Sequence, residues 1–417
     1  MRVLVIGSGV IGLFCALRLR QDGHEVIVID KEGPDGDKCS LGNAGIVVPS
    51  HFVPLAAPGM VAAGLKMLAK RDSPFRIKPA LDPDLAKWCL LFTKFCTHDH
   101  VRKCAPVLLE SHLTSRDEYA SLANTFPGAF QFRADGMLMV CGSQSGFEEE
   151  IEVAGHALEL GLTTKTVNRD RFADLNLGVQ VDAVGAIFYQ DDCCLVPQLL
   201  VSHLVGLCSS LGVSFTWNTG IVEWTTGSGS TKSVVGAETT QGKEEFDAVV
   251  VAAGAKSAKL LKPLGVNLFL QPGKGLSFES RPNNPIPRLP FLLKEARMAV
   301  TPMGQVTRFG GTMELGEWSL EPDELRVKGM VESVPKVLPE FTRDRFDLAG
   351  KAVWAGLRPC SPDGLPYIGA TAQVDNLFVA TGHGMMGVSL APVTGQIIAA
   401  ALRGEKTEAL YSPDRLA

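Results

Sequence analysis

The amino-acid sequence predicts an α/β plus β fold, in which a Rossmann-like nucleotide-binding domain is interrupted by an antiparallel-sheet domain. Three observations carry this prediction. Residues 2–30 read as strand, glycine-rich turn, helix, strand and terminal acid. Apolar strands ending in glycine turns recur near positions 6, 251 and 379, and a single parallel sheet would collect all three. The stretches between them, strand-dominated over 268 to 316, then form a second domain inserted into the first. The expected boundaries are 1–48, 194–262 and 352–417 for the nucleotide-binding domain, and 49–193 and 263–351 for the inserted one.

The first element, Arg2-Val-Leu-Val-Ile6, runs straight into Gly7-Ser-Gly9-Val-Ile-Gly12. Gly7 permits a tight turn, Gly9 lets the backbone approach a pyrophosphate, and Gly12 lets the following helix pack close to the strand. That helix, from about Val10 to Gln21, aims its N-terminal N–H groups and positive dipole end at the phosphates. The second strand, Glu25–Ile29, stops at Asp30, 18 residues past Gly12, where a carboxylate can accept hydrogen bonds from a ribose diol. The unit therefore predicts an ADP-containing dinucleotide and leaves FAD and NAD both open.

Glu32 to Lys38 is a turn-rich loop, followed by the small, polar Cys39-Ser-Leu-Gly-Asn-Ala-Gly-Ile46. From about 58 to 126 the pattern is helical, with Trp88, Phe92 and Phe95 at helical spacings. A turn into a strand is expected over 133–140, a helix over 146–161, a strand over 186–189 and a helix from Val196 to Leu211. Short strands follow near 213–217, 220–224 and 233–239, then a turn at Gln241-Gly242 into a buried strand ending at Gly254. A helical stretch over 322–338 precedes the last unit: a strand at 376–380, a glycine-rich turn and a helix over 389–403.

The 417 residues are 46% apolar and 20% charged, with a formal net charge of −5, and Lys and Arg are scattered. This excludes the footprint of a nucleic-acid-binding protein. Ten cysteines include no CxxC pair and no zinc spacing, so reduced buried thiols and no metal are expected. Arg18-Leu-Arg20 and the absence of a small-residue cleavage site argue against an exported chain. No run of 18 uninterrupted apolar residues occurs. The expected location is cytoplasmic. The apolar segment Ala56–Lys70, with basic residues at its end, reads as a packed surface helix and leaves peripheral association with the inner membrane face open. GxSxG and HExxH are absent, which removes the local signatures of serine hydrolases and zinc proteases.

Three clusters besides the opening glycines can carry chemistry. Ser40 to Gly45 has almost no side-chain bulk, which suits a backbone lying against a flat ring and equally suits an ordinary loop. Val251-Ala-Ala-Gly254 lets a ligand, or a packed helix, come close. The third is Gly356-Leu-Arg-Pro-Cys-Ser-Pro-Asp-Gly364 with Thr381-Gly-His-Gly-Met-Met-Gly387, whose glycines open a helix and offer a second dipole site. Arg358 can clamp a carboxylate in bidentate fashion, or close the turn by pairing with Asp363. His383 reads as a base or ring contact, or as a backbone-bonded structural histidine. Lys274 lies either near the cofactor or on a solvated turn, and Cys360 is a flavin-attachment candidate against a plain buried thiol.

At this point the chain resembles flavin-dependent D-amino acid dehydrogenases of the small-subunit type, including D-hydroxyproline dehydrogenase-like members, within the D-amino acid oxidase and glycine oxidase superfamily. The carriers are Val5 to Gly12, Gly42-Asn-Ala-Gly45, Pro54-Leu-Ala-Ala-Pro-Gly59, Pro272-Gly-Lys-Gly275, Gly356-Leu-Arg-Pro359 with Pro362-Asp-Gly364, and Thr381-Gly-His-Gly384. The resemblance implies FAD, bound in a glutathione-reductase-type domain, with an antiparallel substrate-binding domain. It implies ADP on Gly7, Gly9, Val10, Ile11, Gly12, Asp30 and Lys31, with Val222 beside the adenine. The isoalloxazine would lie near Ser40, Asn43, Ala44 and Gly45, with Ala253, Gly254, Lys274, Gly356, Gly384, Met385, Met386 and Gly387 completing the site. Arg358 matches the family arginine that holds the substrate carboxylate. The family's pocket tyrosines have no clear match among the four tyrosines present; Tyr189 is the candidate, and His51 either lines the pocket or lies on the surface.

The expected activity is oxidative deamination of a small amino or imino acid, of the D-amino acid or D-proline type, with hydride passing from Cα to flavin N5. Electrons then leave to a quinone, a partner protein or oxygen, and homo- or hetero-oligomers are both compatible. The alternatives are a glycine/sarcosine-type oxidase, a flavin-binding subunit of a larger dehydrogenase and an NAD-type dehydrogenase.

Overall fold

A computed structural model of the chain describes residues 1–70, 73–78, 81–227 and 232–416. Six strands form one sheet in the order Tyr367–Ala370, Leu377–Thr381, Ala248–Val251, Arg2–Ile6, Glu25–Ile29, Ser214–Thr216. All neighbours are parallel except Tyr367–Ala370, which runs antiparallel to Leu377–Thr381. The three glycine-ended strands lie together in register, Ile6 opposite both Ile29 and Val251, and Val251 opposite Val379. Their carboxyl ends therefore stop at one level, where open α/β sheets bind ligands.

Both faces of this sheet are covered, which explains its continuous apolar runs. Val3, Val5, Val26, Val28 and Val250 pack in one cluster with residues of helices Val10–Gln21, Pro197–Ser210 and Gly387–Leu402. Leu4, Ile6, Ile27, Ile29 and Val249 pack in another with residues of the Ile221–Thr226, Val234–Thr239, Gly242–Glu245 sheet and the 261–270 segment. Helix Gly387–Leu402 crosses helix Val10–Gln21 at Gly395, where a Cβ would lie 2.5 Å from the Phe14 carbonyl oxygen.

A second sheet of ten strands is mostly antiparallel. Its path runs Phe346–Asp347, Gln271–Ser280, Val306–Leu315, Met298–Met303, Phe291–Leu293, Met137–Cys141, Gly185–Tyr189, Thr164–Asn168. Phe75–Ile77 adds to Val306–Leu315, and Trp354–Cys360 adds to Gln271–Ser280. Phe278, Phe309, Phe341 and Phe346 fill its core with ring centroids 5.1–5.7 Å apart along the closest pairs. Each buried ring contributes about 2–3 kcal/mol of hydrophobic stabilisation.

The structure departs from the sequence reading in two instructive places. The helical stretch 58–126 is three helices, Met60–Leu68, Pro83–Phe95 and His98–Thr125, with Phe75–Ile77 as a strand between the first two. Positions 71, 72, 79 and 80 of that stretch lie outside the described residues. The break follows from local chemistry: the Asp82 side chain accepts from the Asp84 and Leu85 N–H groups, and Pro83 occupies the first helical position. The second departure is Trp354–Cys360. It belongs by position to the expected nucleotide-binding portion, yet pairs residue for residue with the ten-stranded sheet, Cys360 opposite Gln271 and Trp354 opposite Ser277. The chain passes to the six-stranded sheet only afterwards, at Tyr367.

Among the described residues no helix is long and apolar enough to cross a membrane, and no cluster of three or more His, Cys, Asp or Glu is set to hold a metal. All ten cysteines are free, including the adjacent buried pair Cys193 and Cys194.

Candidate active site

A cleft of about 2190 Å³ opens at the carboxyl ends of the parallel strands and extends to the Trp354–Cys360 strand. It exceeds the roughly 300–1,000 Å³ that holds one drug-sized ligand and has room for a dinucleotide with a substrate. All but four of the site residues expected from sequence line it. The exceptions are Gly12, Gly45, Lys274 and Tyr189.

At the nucleotide end the glycines act through backbone geometry. Gly7 has φ +109°, and a Cβ there would meet the Ala252 oxygen at 2.5 Å. Gly12 stands behind the cleft wall: its Cβ would lie 1.9 Å from the Gly7 oxygen, so it sets the spacing between helix and strand. Ser40 Oγ accepts from the Val10 N–H at 3.0 Å, and the helix has no side-chain cap at Gly9. Asp30 faces the cleft while accepting from the Ser8 N–H and hydroxyl, both at 2.7 Å, and from the Glu32 N–H at 2.9 Å. Its carboxylate thus ties the glycine turn to the end of the second strand. Asp30→Ala is expected to loosen that turn and weaken cofactor retention without altering substrate preference, measured as flavin remaining after dialysis. Full retention would remove Asp30 from the cofactor site.

The other end is built around Arg358. Its Nη1 donates to the Thr312 carbonyl at 2.5 Å and its Nη2 to the Gly311 carbonyl at 3.4 Å. The guanidinium lies across Gly275, where a Cβ would come within 2.2 Å of it. The pairing with Asp363 does not form. Asp363 is held by Arg415 at 2.6 and 2.9 Å. Arg358 therefore faces the cleft with no carboxylate partner among the described residues. Burial lowers its pKa, with Cys39 and Cys360 nearby, but a guanidinium remains charged. The same strand is fastened to the last glycine turn: Gly384 N–H donates to the Pro359 carbonyl at 2.8 Å, and Cys360 bridges His383. Helix Gly387–Leu402 begins there with no side-chain cap. Cys360 is a buried thiol whose pKa is pushed up to about 12 by burial, which keeps it protonated.

The Ser40–Gly45 loop is held by residues that sequence reading did not single out. Arg308, paired with Glu279, donates to the Leu41 and Asn43 carbonyls, both at 2.9 Å. Ser277 Oγ donates to the Gly42 carbonyl at 3.0 Å. Trp354 stacks its indole against Gly42 and Gly356, where a Cβ would approach the ring to 2.0 and 1.9 Å. Gly45, φ +69°, turns the chain away from the wall against the Leu195 carbonyl. Arg297 also lines the cleft, and sequence gave no cue to it.

Two expected residues are engaged elsewhere. Lys274 is buried, 3.1 Å from Glu314 Oε1, and donates to the Glu321 carbonyl at 2.9 Å. Tyr189 OH donates to Glu150 Oε1 at 2.8 Å, and Glu150 pairs with Lys294 at 2.9 Å. His383 reaches the wall but is locked by Nε2 to Thr394 Oγ1 at 2.9 Å, and burial lowers its pKa to about 3. Nδ1 of the same ring is buried without a hydrogen-bond partner among the described residues. His51 lines the cleft and is half-buried.

Residues 2–401 match the family described as FAD dependent oxidoreductase (DAO). The chain belongs to this family. It is similar to a D-amino acid dehydrogenase from Bradyrhizobium diazoefficiens, 31% identical over 419 residues that cover 98% of this chain and 96% of the relative. A D-amino acid dehydrogenase from Vibrio cholerae is 32% identical over 422 residues, covering 96% and 94% of the two chains. Among solved structures, glycine oxidase from Bacillus cereus superposes with a TM-score of 0.77 at 20% identity, covering 98% of this chain and 97% of its own. That likeness shows a shared fold of mixed helix and sheet.

FAD is the cofactor of this DAO-family oxidoreductase, which closes the choice left by the opening glycines. The cleft suits it. Gly254 and Gly384 have φ of +58° and +55° with nothing within 4 Å of an added Cβ, so bare backbone borders open space. Two helix starts whose own N-cap residues, Gly9 and Met386, make no side-chain cap border the cleft; at the first of them Ser40 Oγ takes the Val10 N–H. Trp354 Nε1, at the wall, is buried without a partner.

Proposed function

We propose that this flavoenzyme oxidises a small α-amino or imino acid of the D-amino acid or D-proline type. The observation that carries the reading is Arg358: a cleft-facing guanidinium fixed by two carbonyls, seated over Gly275 and free of any acidic partner among the described residues. Such a fork binds a carboxylate in one orientation. The ADP half of FAD would rest on Gly7, Gly9, Val10, Ile11, Asp30 and Lys31. Its ring would lie between the Ser40–Ala44 loop and Gly384–Gly387. In this reading the six-stranded sheet belongs to the cofactor domain and the ten-stranded sheet to the substrate domain, with Trp354–Cys360 joining them.

Bound FAD supplies a hydride acceptor. The chain's own work is positional: Arg358 grips the carboxylate so that only one face of Cα is presented, and Trp354, packed on Gly42 and Gly356, backs the loop beside it. The substrate nitrogen must be neutral when the Cα–H bond breaks, because an ammonium has no lone pair to form the imine. Water then hydrolyses an acyclic imine to a keto acid and ammonia.

Anaerobic mixing of the holoenzyme with amino and imino acids in both enantiomers tests this. Loss of the flavin's visible band with D-amino acids or D-proline analogues is expected. A flavin that no enantiomer of any amino or imino acid bleaches would overturn the reading.

A further inference from the structure

The substrate's ammonium must lose a proton before the imine can form, and one chain of contacts at the cleft presents a nitrogen able to take it. Asp192 is fully buried and accepts from Ser50 twice, Oδ2 from the hydroxyl at 2.6 Å and Oδ1 from the N–H at 2.9 Å. The same Ser50 Oγ lies 3.0 Å from His51 Nδ1. A serine hydroxyl has one proton. It is committed to the Asp192 carboxylate, so towards His51 the oxygen accepts, and Nδ1 must carry the hydrogen. His51 Nε2 is then left with its lone pair and with no protein partner among the described residues, on a residue that lines the cleft.

The loop carrying His51 is pinned to the substrate end. Val48 N–H donates to Ser389 Oγ at 2.9 Å, at the start of the Gly387–Leu402 helix, and the turn before that helix is bonded to Pro359 next to Arg358. We propose that His51 Nε2 is the base of the reaction proposed above, with Ser50 and Asp192 as residues that set its tautomer. The N–H bond of the bound ammonium breaks, its proton forms Nε2–H, and the electron pair stays on the substrate nitrogen. The resulting imidazolium is stabilised through Nδ1–H, Ser50 Oγ and the Asp192 carboxylate. The inference rests on the amino acid oxidation reading.

The surroundings favour a neutral imidazole at rest. Burial lowers the His51 pKa, opposed by Glu150 on the Gln144–Glu159 helix, whose charge is shared with Lys294. His112, facing it from the His98–Thr125 helix, is itself held neutral by burial at about 3. Asp192 is pushed up to about 7 by burial, against its Ser50 hydrogen bonds; the neighbouring Asp191 also raises it and Arg116, paired with Asp191, lowers it. The relay is thus competent above about 7 and fails as the pH falls through that value.

Wild-type holoenzyme with a bleaching substrate first establishes the reaction, so a failure there is a failure of the functional reading alone. The relay is then tested by the pH profile of kcat/KM. In wild type the acid limb is expected near 7. His51→Asn keeps a donor towards Ser50 but has no base. It is expected to lose about 10²-fold at neutral pH and to move the limb to the substrate ammonium's own alkaline pKa, regaining rate there. Asp192→Asn should lose about tenfold and abolish the limb near 7. A uniform loss in His51→Asn with the limb unmoved would overturn the proposal. NMR of the histidine ring nitrogens in the substrate-free oxidised holoenzyme at pH 8 gives a readout free of turnover, with His51 assigned by its absence in His51→Asn. Nδ1–H is expected in wild type and its loss in Ser50→Ala; an Nε2–H tautomer in wild type would overturn the proposal.

Discussion

Arg358→Lys is expected to lower kcat/KM for carboxylate substrates by at least about 10²-fold while FAD stays bound. A lysine ammonium is a point charge and cannot reproduce the fork, so the substrate loses its fixed angle to the ring. Gly275→Ala is a second route to the same loss. Its methyl would arrive 2.2 Å from the guanidinium, which must swing away, while Arg358 itself is unchanged. Steady-state kinetics with a carboxylate substrate and its methyl ester check both variants. Both variants should narrow the preference for the acid over the ester. Wild-type kinetics in Arg358→Lys would end the carboxylate assignment.

Gly12→Ala is expected to have the largest effect on the cofactor site and on stability. The new methyl would sit 1.9 Å from the Gly7 carbonyl oxygen, a backbone atom that cannot rotate away as a side chain can. Helix Val10–Gln21 must move off the Arg2–Ile6 strand, at a cost of about 3 kcal/mol, the upper end of overpacking effects. The displaced helix start would no longer meet the pyrophosphate at its proposed position. Gel filtration should return colourless protein, and thermal unfolding of the apoprotein should fall by several degrees. Gly23→Ala is the control: it has φ +86° but nothing within 4 Å, so it adds only backbone strain, far from the cleft. Flavin retention and an unchanged midpoint in Gly12→Ala would show that the helix start can relax.

These two predictions differ in how far sequence could reach. Gly12 was legible because its partner Gly7 is five residues away and the whole unit closes on itself. Strand Arg2–Ile6 pairs directly with Glu25–Ile29, and the Asp30 carboxylate returns to Ser8. Arg358 was legible as a residue type in a glycine-flanked segment, but its surroundings were not. Pairing with Asp363 was as reasonable from spacing, and only the distant Arg415 removes that partner. Lys274 and Tyr189 show the reverse case. Both sit in suggestive contexts, and both are consumed by carboxylates, Glu314 and Glu150, brought from other strands and helices.

The sequence by itself determined the dinucleotide end of this protein, because that end is a local object: contiguous strand, turn, helix and strand, each with its own composition signal. Tertiary structure alone decided the end proposed to hold the substrate. Gly275, Gly311, Thr312 and Arg358 meet through the register of three strands, and a one-residue slip would turn Arg358 to the opposite face. Ser50 and Asp192 are 142 residues apart and share no motif. Register and long-range burial are properties of the packed chain, and no short window of sequence carries them.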